Sequence, residues 1–305
     1  MATISANTLR PAERTSISQL PAALRLWHLA SLDAPTVAVT WARAFAWTAH
    51  VNLAAWPMAV LGLVVWTIYV GDRLLDARRG THDLRERHHF HWRHRRILAP
   101  LAAAAGLAAT GIVSQRVSLT ALPQDSAVAV AALAYFSGVH SKVKLPAPVS
   151  RALAAFGTRE FLVGMLFAAG CVLPAWSMSP QGSSPAGFAQ IVAVPAIYFS
   201  ALAWLNVRAI TRWESGGAET GMPPGKRTLA GVSYLLAGCG ILLADVSTAS
   251  QPRAAALLAV GTLSALMIGW LDGRRERFSP LTHRVAVDLV LLTPVLLVAA
   301  APLVR

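Results

Sequence analysis

The stretch LAAWPMAVLGLVVWTIYVGDRLLDARRG, residues 53–80, decides the fold. Its first part, 53–71, carries no charge and is almost entirely apolar. An apolar run of this length crosses the roughly 30 Å hydrocarbon core of a bilayer as an α-helix, because a helix satisfies its own backbone hydrogen bonds. Two aspartates and three arginines follow at once. The stretch therefore predicts a membrane-spanning helix that ends in a charged, water-facing segment.

The same pattern of apolar runs separated by polar segments extends along the chain of 305 residues. Of these residues 55% are apolar and only 13% are charged, whereas soluble domains have about 25% charged residues. This composition excludes a disordered chain and an ordinary soluble domain. We predict an all-α polytopic membrane bundle of about nine transmembrane helices. The predicted spans are 33–51, 53–71, 97–113, 127–139, 152–175, 187–207, 229–245, 254–271 and 285–304.

The distribution of lysine and arginine predicts the orientation of this bundle. With the N-terminus inside, the inner segments carry 22 of the 27 Lys and Arg residues, as the positive-inside rule requires. We therefore predict an N-in, C-out bundle, with a cytoplasmic N-terminal tail at 1–32 and one transmembrane domain at 33–305. The net charge of +13 then needs no nucleic acid, since anionic lipids are sufficient partners for the inner loops. We expect an integral protein of a bacterial inner membrane with its active face towards the cytoplasm.

Two acids at the end of the second span are the first candidate site. Asp72 and Asp76 are four residues apart, so they lie on one face of a helix. Two carboxylates in this arrangement can hold Mg²⁺, which shares its coordination shell with water and substrate phosphates. The alternative is a solvated helix end in which both acids pair with Arg78 and Arg79.

A histidine-rich segment follows this site. A single cluster cannot supply the several histidine boxes of a membrane di-iron site, and we interpret the segment as an interfacial one, with Phe90 and Trp92 at headgroup depth. Charges inside the predicted spans are a further feature, because ionisable groups at such depth are paired or face an aqueous cavity. The four histidines are His88, His89, His91 and His94, and the charges within spans are Arg43, Arg159, Glu160 and Asp288.

Several short stretches of the chain together have the order of a known set of motifs. They are Asp72-Arg73-Leu74-Leu75-Asp76, His140-Ser141-Lys142-Val143-Lys144-Leu145, Gly157-Thr158-Arg159-Glu160-Phe161-Leu162-Val163-Gly164, Asn206-Val207-Arg208 and Gly225-Lys226-Arg227-Thr228-Leu229. These stretches resemble the UbiA-type membrane prenyltransferase superfamily, whose members have a nine-helix bundle with Asp-rich motifs after the second and sixth helices. The resemblance covers most of the chain from Leu32 onward.

The resemblance implies transfer of an isoprenoid from a prenyl diphosphate to a small acceptor, expected to be aromatic, with Mg²⁺ as cofactor. It implies that Asp72, Asp76 and Glu214 bind the metal and that Glu160 or Glu214 takes a proton or orients the acceptor. Asn206 is expected either as a ligand or as a hydrogen bond between helices. The residues implied to bind the diphosphate are Arg73, Lys142, Lys144, Asn206 and Arg208.

The chain departs from the family pattern at both acidic motifs. The first motif begins Asn-Asp in the family, and this chain has Ile68-Tyr69 there. Ala209 and Trp213 occupy the aspartate positions of the second motif. These departures leave a second function class open, a non-catalytic bundle that binds a lipid or an anionic headgroup at its cytoplasmic face. A transporter is a third class, but the sequence has no matching pair of broken helices.

Overall fold

A computed structural model describes residues 21–79, 86–116, 158–179, 184–214, 229–274 and 277–300. Every regular element within these ranges is a helix, which confirms the all-α prediction for this part of the chain. The helices are α1 Ala22–Leu29, α2 Asp33–Thr48, α3 Ala55–Arg79, α4 Glu86–Arg93, α5 Arg95–Arg116, α6 Thr158–Ser177, α7 Pro185–Glu214, α8 Leu229–Thr248, α9 Pro252–Gly273, α10 Pro280–Val290 and α11 Val295–Ala300.

Six of these helices are long and apolar enough to cross a membrane. They are α3, α5, α6, α7, α8 and α9, and each overlaps one of the predicted spans. Large apolar side chains point away from the bundle, as Leu107 on α5 and Val246 on α8 do with 74% and 78% exposure. Such exposure is expected where lipid rather than water surrounds a helix. These features are those of a multi-pass membrane protein.

The remaining three predicted spans are not confirmed. The first, α2, has 16 residues and is about 24 Å long, which is shorter than the hydrocarbon core. The fourth, 127–139, lies outside the described residues. The ninth, 285–304, is divided into α10 and α11 by turns at 291–294. The number of nine spans and the N-in, C-out orientation therefore stay predictions.

The interruption of the ninth span has a physical cause in Pro294. Proline lacks a backbone N–H and its ring clashes with the carbonyl four residues earlier, so a helix ends before it. Two freed carbonyl groups find donors on other helices. The Val290 oxygen accepts from the Ser264 hydroxyl at 2.8 Å, and the Leu291 oxygen accepts from the Trp41 indole at 2.8 Å. Broken helices persist in a membrane only where such substitutes exist.

Helix α2 lies in the centre of the bundle and packs against α3, α6, α9 and α10. Trp41 and Phe45 are at most 1% exposed. The Trp41 ring stacks on Phe199 of α7, with 3.8 Å between the ring centroids. Burial of these rings, together with their offset contacts, fixes α2 between the long helices.

Helices α6 and α7 approach each other closely at Gly164. A Cβ atom at this position would lie 2.8 Å from both the Ser200 carbonyl oxygen and the Trp204 backbone nitrogen. Only glycine permits this distance, and small residues at membrane-helix contacts serve this purpose in general. Gly164 therefore brings Glu160, one turn earlier on α6, next to the C-terminal part of α7.

Candidate functional site

The site begins at the turn between α1 and α2. Ser31 has φ of 57° in the left-handed region and is fully buried. The turn directs His28, at the end of α1, towards Asp33, the first residue of α2. The sequence did not predict this helix and turn, which lie within the segment 1–32 assigned to the tail.

His28, Asp33 and Asp288 bring two carboxylates and an imidazole together. The His28 Nδ1 atom lies 2.8 Å from Asp33 Oδ2 and 4.0 Å from Asp288 Oδ2. The three side chains are between 1% and 14% exposed. Burial lowers the pKa of His28. The nearby Arg284 guanidinium also lowers it, whereas the hydrogen bond to the Asp33 carboxylate raises it. The ring is therefore neutral at physiological pH and donates its Nδ1 proton to Asp33.

Arg73, one of the predicted diphosphate ligands, is buried beside this group. Its Nε–H donates to the Ser31 hydroxyl oxygen at 2.8 Å, and its guanidinium carbon lies 5.9 Å from the Tyr69 ring centroid. Only 4% of the residue is exposed. Arg73 therefore contributes a fixed positive charge to the interior of the bundle.

The Ser31 hydroxyl, which accepts from Arg73, also contacts His91 of α4, whose Nε2 lies 3.3 Å from the Ser31 oxygen. The His91 Nδ1 atom is 2.8 Å from the Arg87 carbonyl oxygen, which can only accept, so Nδ1 carries the proton. Burial lowers the pKa of His91 to about 4, and Nε2 then accepts from the Ser31 hydroxyl. The His91 side chain is completely buried, whereas His89 is exposed, so the histidines of this run do not share one environment.

Asn206 joins α7 to α10. Its amide Nδ2 donates to the Val287 carbonyl oxygen at 3.1 Å, and the side chain also contacts Asp288. Of the two roles expected from the sequence, the structure supports the hydrogen bond between helices. Asn206 thus fixes α10 at the residue next to Asp288.

Glu160 and Arg208, predicted from two separate stretches, form a pair between α6 and α7. The Arg208 Nη1 atom lies 3.5 Å from Glu160 Oε1. The Arg208 side chain is 33% exposed and the Glu160 side chain is 16% exposed, so both groups are partly accessible. This contact places a carboxylate and a guanidinium within reach of one bound molecule.

The other predicted ligands are only partly described. Asp72 and Asp76 are half-buried on α3, and the Asp76 Oδ2 atom lies 4.0 Å from His88 Nε2. The side chain of Glu214, with Lys142 and Lys144, lies outside the described residues. Two half-buried carboxylates one turn apart fit the requirements of Mg²⁺, which keeps several waters.

The end of α7 has a different arrangement from an Asp-rich motif. The Trp213 indole donates to Asp272 Oδ1 at 2.9 Å, and the Ala230 amide donates to Asp272 Oδ2 at 3.0 Å. Asp272 is therefore committed to holding α7, α8 and α9 together. It does not replace the acids that Ala209 and Trp213 displace.

The sequence did not predict that the residues of the buried polar cluster meet. His28 and Ser31 lie in a segment without membrane periodicity, and His91 is one of four similar histidines. Asp288 is close to Arg284 in sequence, and its position opposite Asp33 depends on the packing of α10 against α2. We define the buried polar cluster as His28, Ser31, Asp33, Arg73, His91, Asn206 and Asp288.

Comparisons of the chain with protein-family models, with curated proteins and with solved structures found no match.

Proposed function

We propose that this protein is an integral-membrane prenyltransferase that moves an isoprenoid from a prenyl diphosphate to a small aromatic acceptor. The observation that carries the proposal is the contact between Glu160 and Arg208, 3.5 Å apart. The two residues come from separate stretches that resemble one family. Arg73 and Asn206, taken from two of those stretches, also share the buried polar cluster. Residues from stretches that resemble the family only by chance would not be expected to contact each other in the folded bundle.

The chemistry follows from the charges of these residues. Arg208 can bind diphosphate oxygens through bidentate hydrogen bonds and stabilise the negative charge of the leaving group, and the buried Arg73 adds positive charge from the interior of the bundle. Bound Mg²⁺ at Asp72 and Asp76 would neutralise further diphosphate charge. The apolar helices exclude water, which would otherwise capture the electron-poor allyl group. Glu160 can accept the proton that an aromatic acceptor loses.

A direct test measures the thermal stability of the detergent-purified protein with geranylgeranyl diphosphate, with and without Mg²⁺. Ligand binding to the folded state raises the apparent melting temperature. We expect a Mg²⁺-dependent rise in the wild type and none in the Asp72→Ala/Asp76→Ala variant. Asp245→Asn, at an exposed position near the end of α8, is the matched control and should respond like the wild type. Release of diphosphate with a panel of aromatic acceptors then tests transfer.

A second candidate function is the binding of anionic lipid headgroups without catalysis. It is favoured by exposed arginines at the junction of α4 and α5, where Arg95 lies 4.5 Å over the Trp92 ring. Arg93 and Arg96 are exposed beside them. This function predicts stabilisation by phosphatidylglycerol and none by the prenyl diphosphate with Mg²⁺. That result would refute the transferase proposal.

A further inference from the structure

A second group of metal-ligating atoms lies apart from the predicted Mg²⁺ site. The ligand atoms of His28, Asp33 and Asp288 all lie within 4.8 Å of one another. Atoms bound to one ion at about 2.0–2.2 Å are separated by no more than about 4.4 Å, so small rotations of the side chains are sufficient to bring all three onto an ion. They come from α1, α2 and α10, so the group exists only in the folded bundle.

The surroundings hold two of these ligands in place, as the outer partners of metal sites do. The Ala34 amide donates to Asp33 Oδ1 at 2.9 Å, which leaves Oδ2 directed at His28. The Asn206 amide is held by the Val287 carbonyl and contacts the Asp288 carboxylate. These hydrogen bonds fix the orientations of both carboxylates before any ion binds.

The two carboxylates are close enough to share a proton or an ion. The Asp288 side chain is hydrogen-bonded to Asp33, so one proton now holds the pair together. Arg73 and Arg284 supply positive charge to Asp33. An ion between the carboxylates would act on both oxygens at contact distance.

We propose that His28, Asp33 and Asp288 bind one divalent first-row transition ion, with Mn²⁺, Fe²⁺ and Zn²⁺ as the candidates. One imidazole nitrogen and two carboxylate oxygens are a mixed ligand set that suits these ions better than Mg²⁺ or Ca²⁺. On binding, the neutral His28 ring would carry its proton on Nε2 and present the Nδ1 lone pair to the ion, and the proton held between Asp33 and Asp288 would be released to solvent. Three protein ligands leave open positions, and the neighbouring guanidiniums favour an anionic group there. The inference does not rest on the proposed transferase function.

The test is the metal content of the full-length protein, purified without a histidine tag and measured by mass spectrometry. We expect about one transition ion per chain in protein from cells grown with added Mn²⁺, Fe²⁺ or Zn²⁺. After treatment with a chelator, the same ion should raise the melting temperature, and Mg²⁺ at the same concentration should not. The Asp288→Asn and His28→Gln variants should weaken binding by about tenfold or more, since loss of even an outer partner costs this much.

His91→Gln is the matched control, because it removes a buried histidine from the same cluster without removing a ligand. This variant should be less stable than the wild type and still hold the ion. The proposal is overturned if the wild type contains no transition ion and none of the three ions raises its melting temperature. It is also overturned if Asp288→Asn folds and binds the ion as tightly as the wild type. Neither result depends on the prenyl diphosphate, so the two proposals can fail separately.

Discussion

Replacement of Ser31 by alanine tests the buried polar cluster most directly. The Ser31 hydroxyl accepts from Arg73 at 2.8 Å and lies 3.3 Å from His91 Nε2, and it is completely buried. A hydrogen bond to a charged group contributes about 1.5–3 kcal/mol, and a buried acceptor left without a donor costs about 1–3 kcal/mol. Because Arg73 can recover part of its loss by moving, we expect Ser31→Ala to lower the free energy of unfolding by about 2–5 kcal/mol.

Unfolding in mixed micelles, followed by circular dichroism during titration with sodium dodecyl sulfate, measures this free energy. Ser114→Ala is the control, because its exposed hydroxyl donates to a carbonyl of its own helix, and it should change stability by less than about 0.5 kcal/mol. Ser31→Gly removes the same hydroxyl but relieves the left-handed backbone, so it should be about 1 kcal/mol more stable than Ser31→Ala. A Ser31→Ala protein within about 0.5 kcal/mol of the wild type would refute the reasoning, since the cluster would then be energetically unimportant.

Three further predictions concern other parts of the molecule. Glu160→Gln should change the free energy of unfolding by no more than about 1 kcal/mol, because its pair with Arg208 is partly exposed. The same variant should slow prenyl transfer by about 100-fold. A strong loss of stability with normal transfer would contradict the proposed role of Glu160. Trp41→Ala should lower the free energy of unfolding by about 3–5 kcal/mol, and Trp41→Phe should lower it clearly less, since phenylalanine keeps the stacked contact but loses the indole hydrogen bond. Equal losses for the two variants in the same unfolding assay would be inconsistent with the stacking. The pKa of His91 is about 4 in the folded protein and about 6.5 in the unfolded chain, so the unfolded chain takes up a proton first as the pH falls. The stability that neutral His91 contributes is complete above pH 6.5 and is lost between about pH 6.5 and 4. The melting temperature of His91→Gln should therefore fall less over that pH range than the melting temperature of the wild type.

The predicted site could be read from the sequence only where a ligand lies on a long apolar helix. Asp72, Arg73 and Asn206 follow recognisable runs, and their positions along α3 and α7 agree with the helices observed. The sequence leaves two roles open for Asn206, because a hydrogen bond to the Val287 carbonyl depends on which helix lies opposite. Glu160 and Arg208 were identified separately, and no sequence pattern indicated that they form a pair.

The sequence by itself determined that this is an all-α protein with apolar helices of membrane length, because hydropathy over some twenty residues is a local property and a continuous apolar run of that length satisfies its own backbone hydrogen bonds in lipid as a helix. It also located most helix ends, since charged and polar runs cannot remain in the hydrocarbon core. Pro294 interrupts the ninth predicted span locally, and the tertiary structure decided how the freed carbonyls are satisfied, through donors from Ser264 and Trp41. It also decided the cluster around His28, Asp33 and Asp288, because these side chains meet only through the packing of α1, α2 and α10, and contacts between distant segments leave no periodic trace in a single sequence.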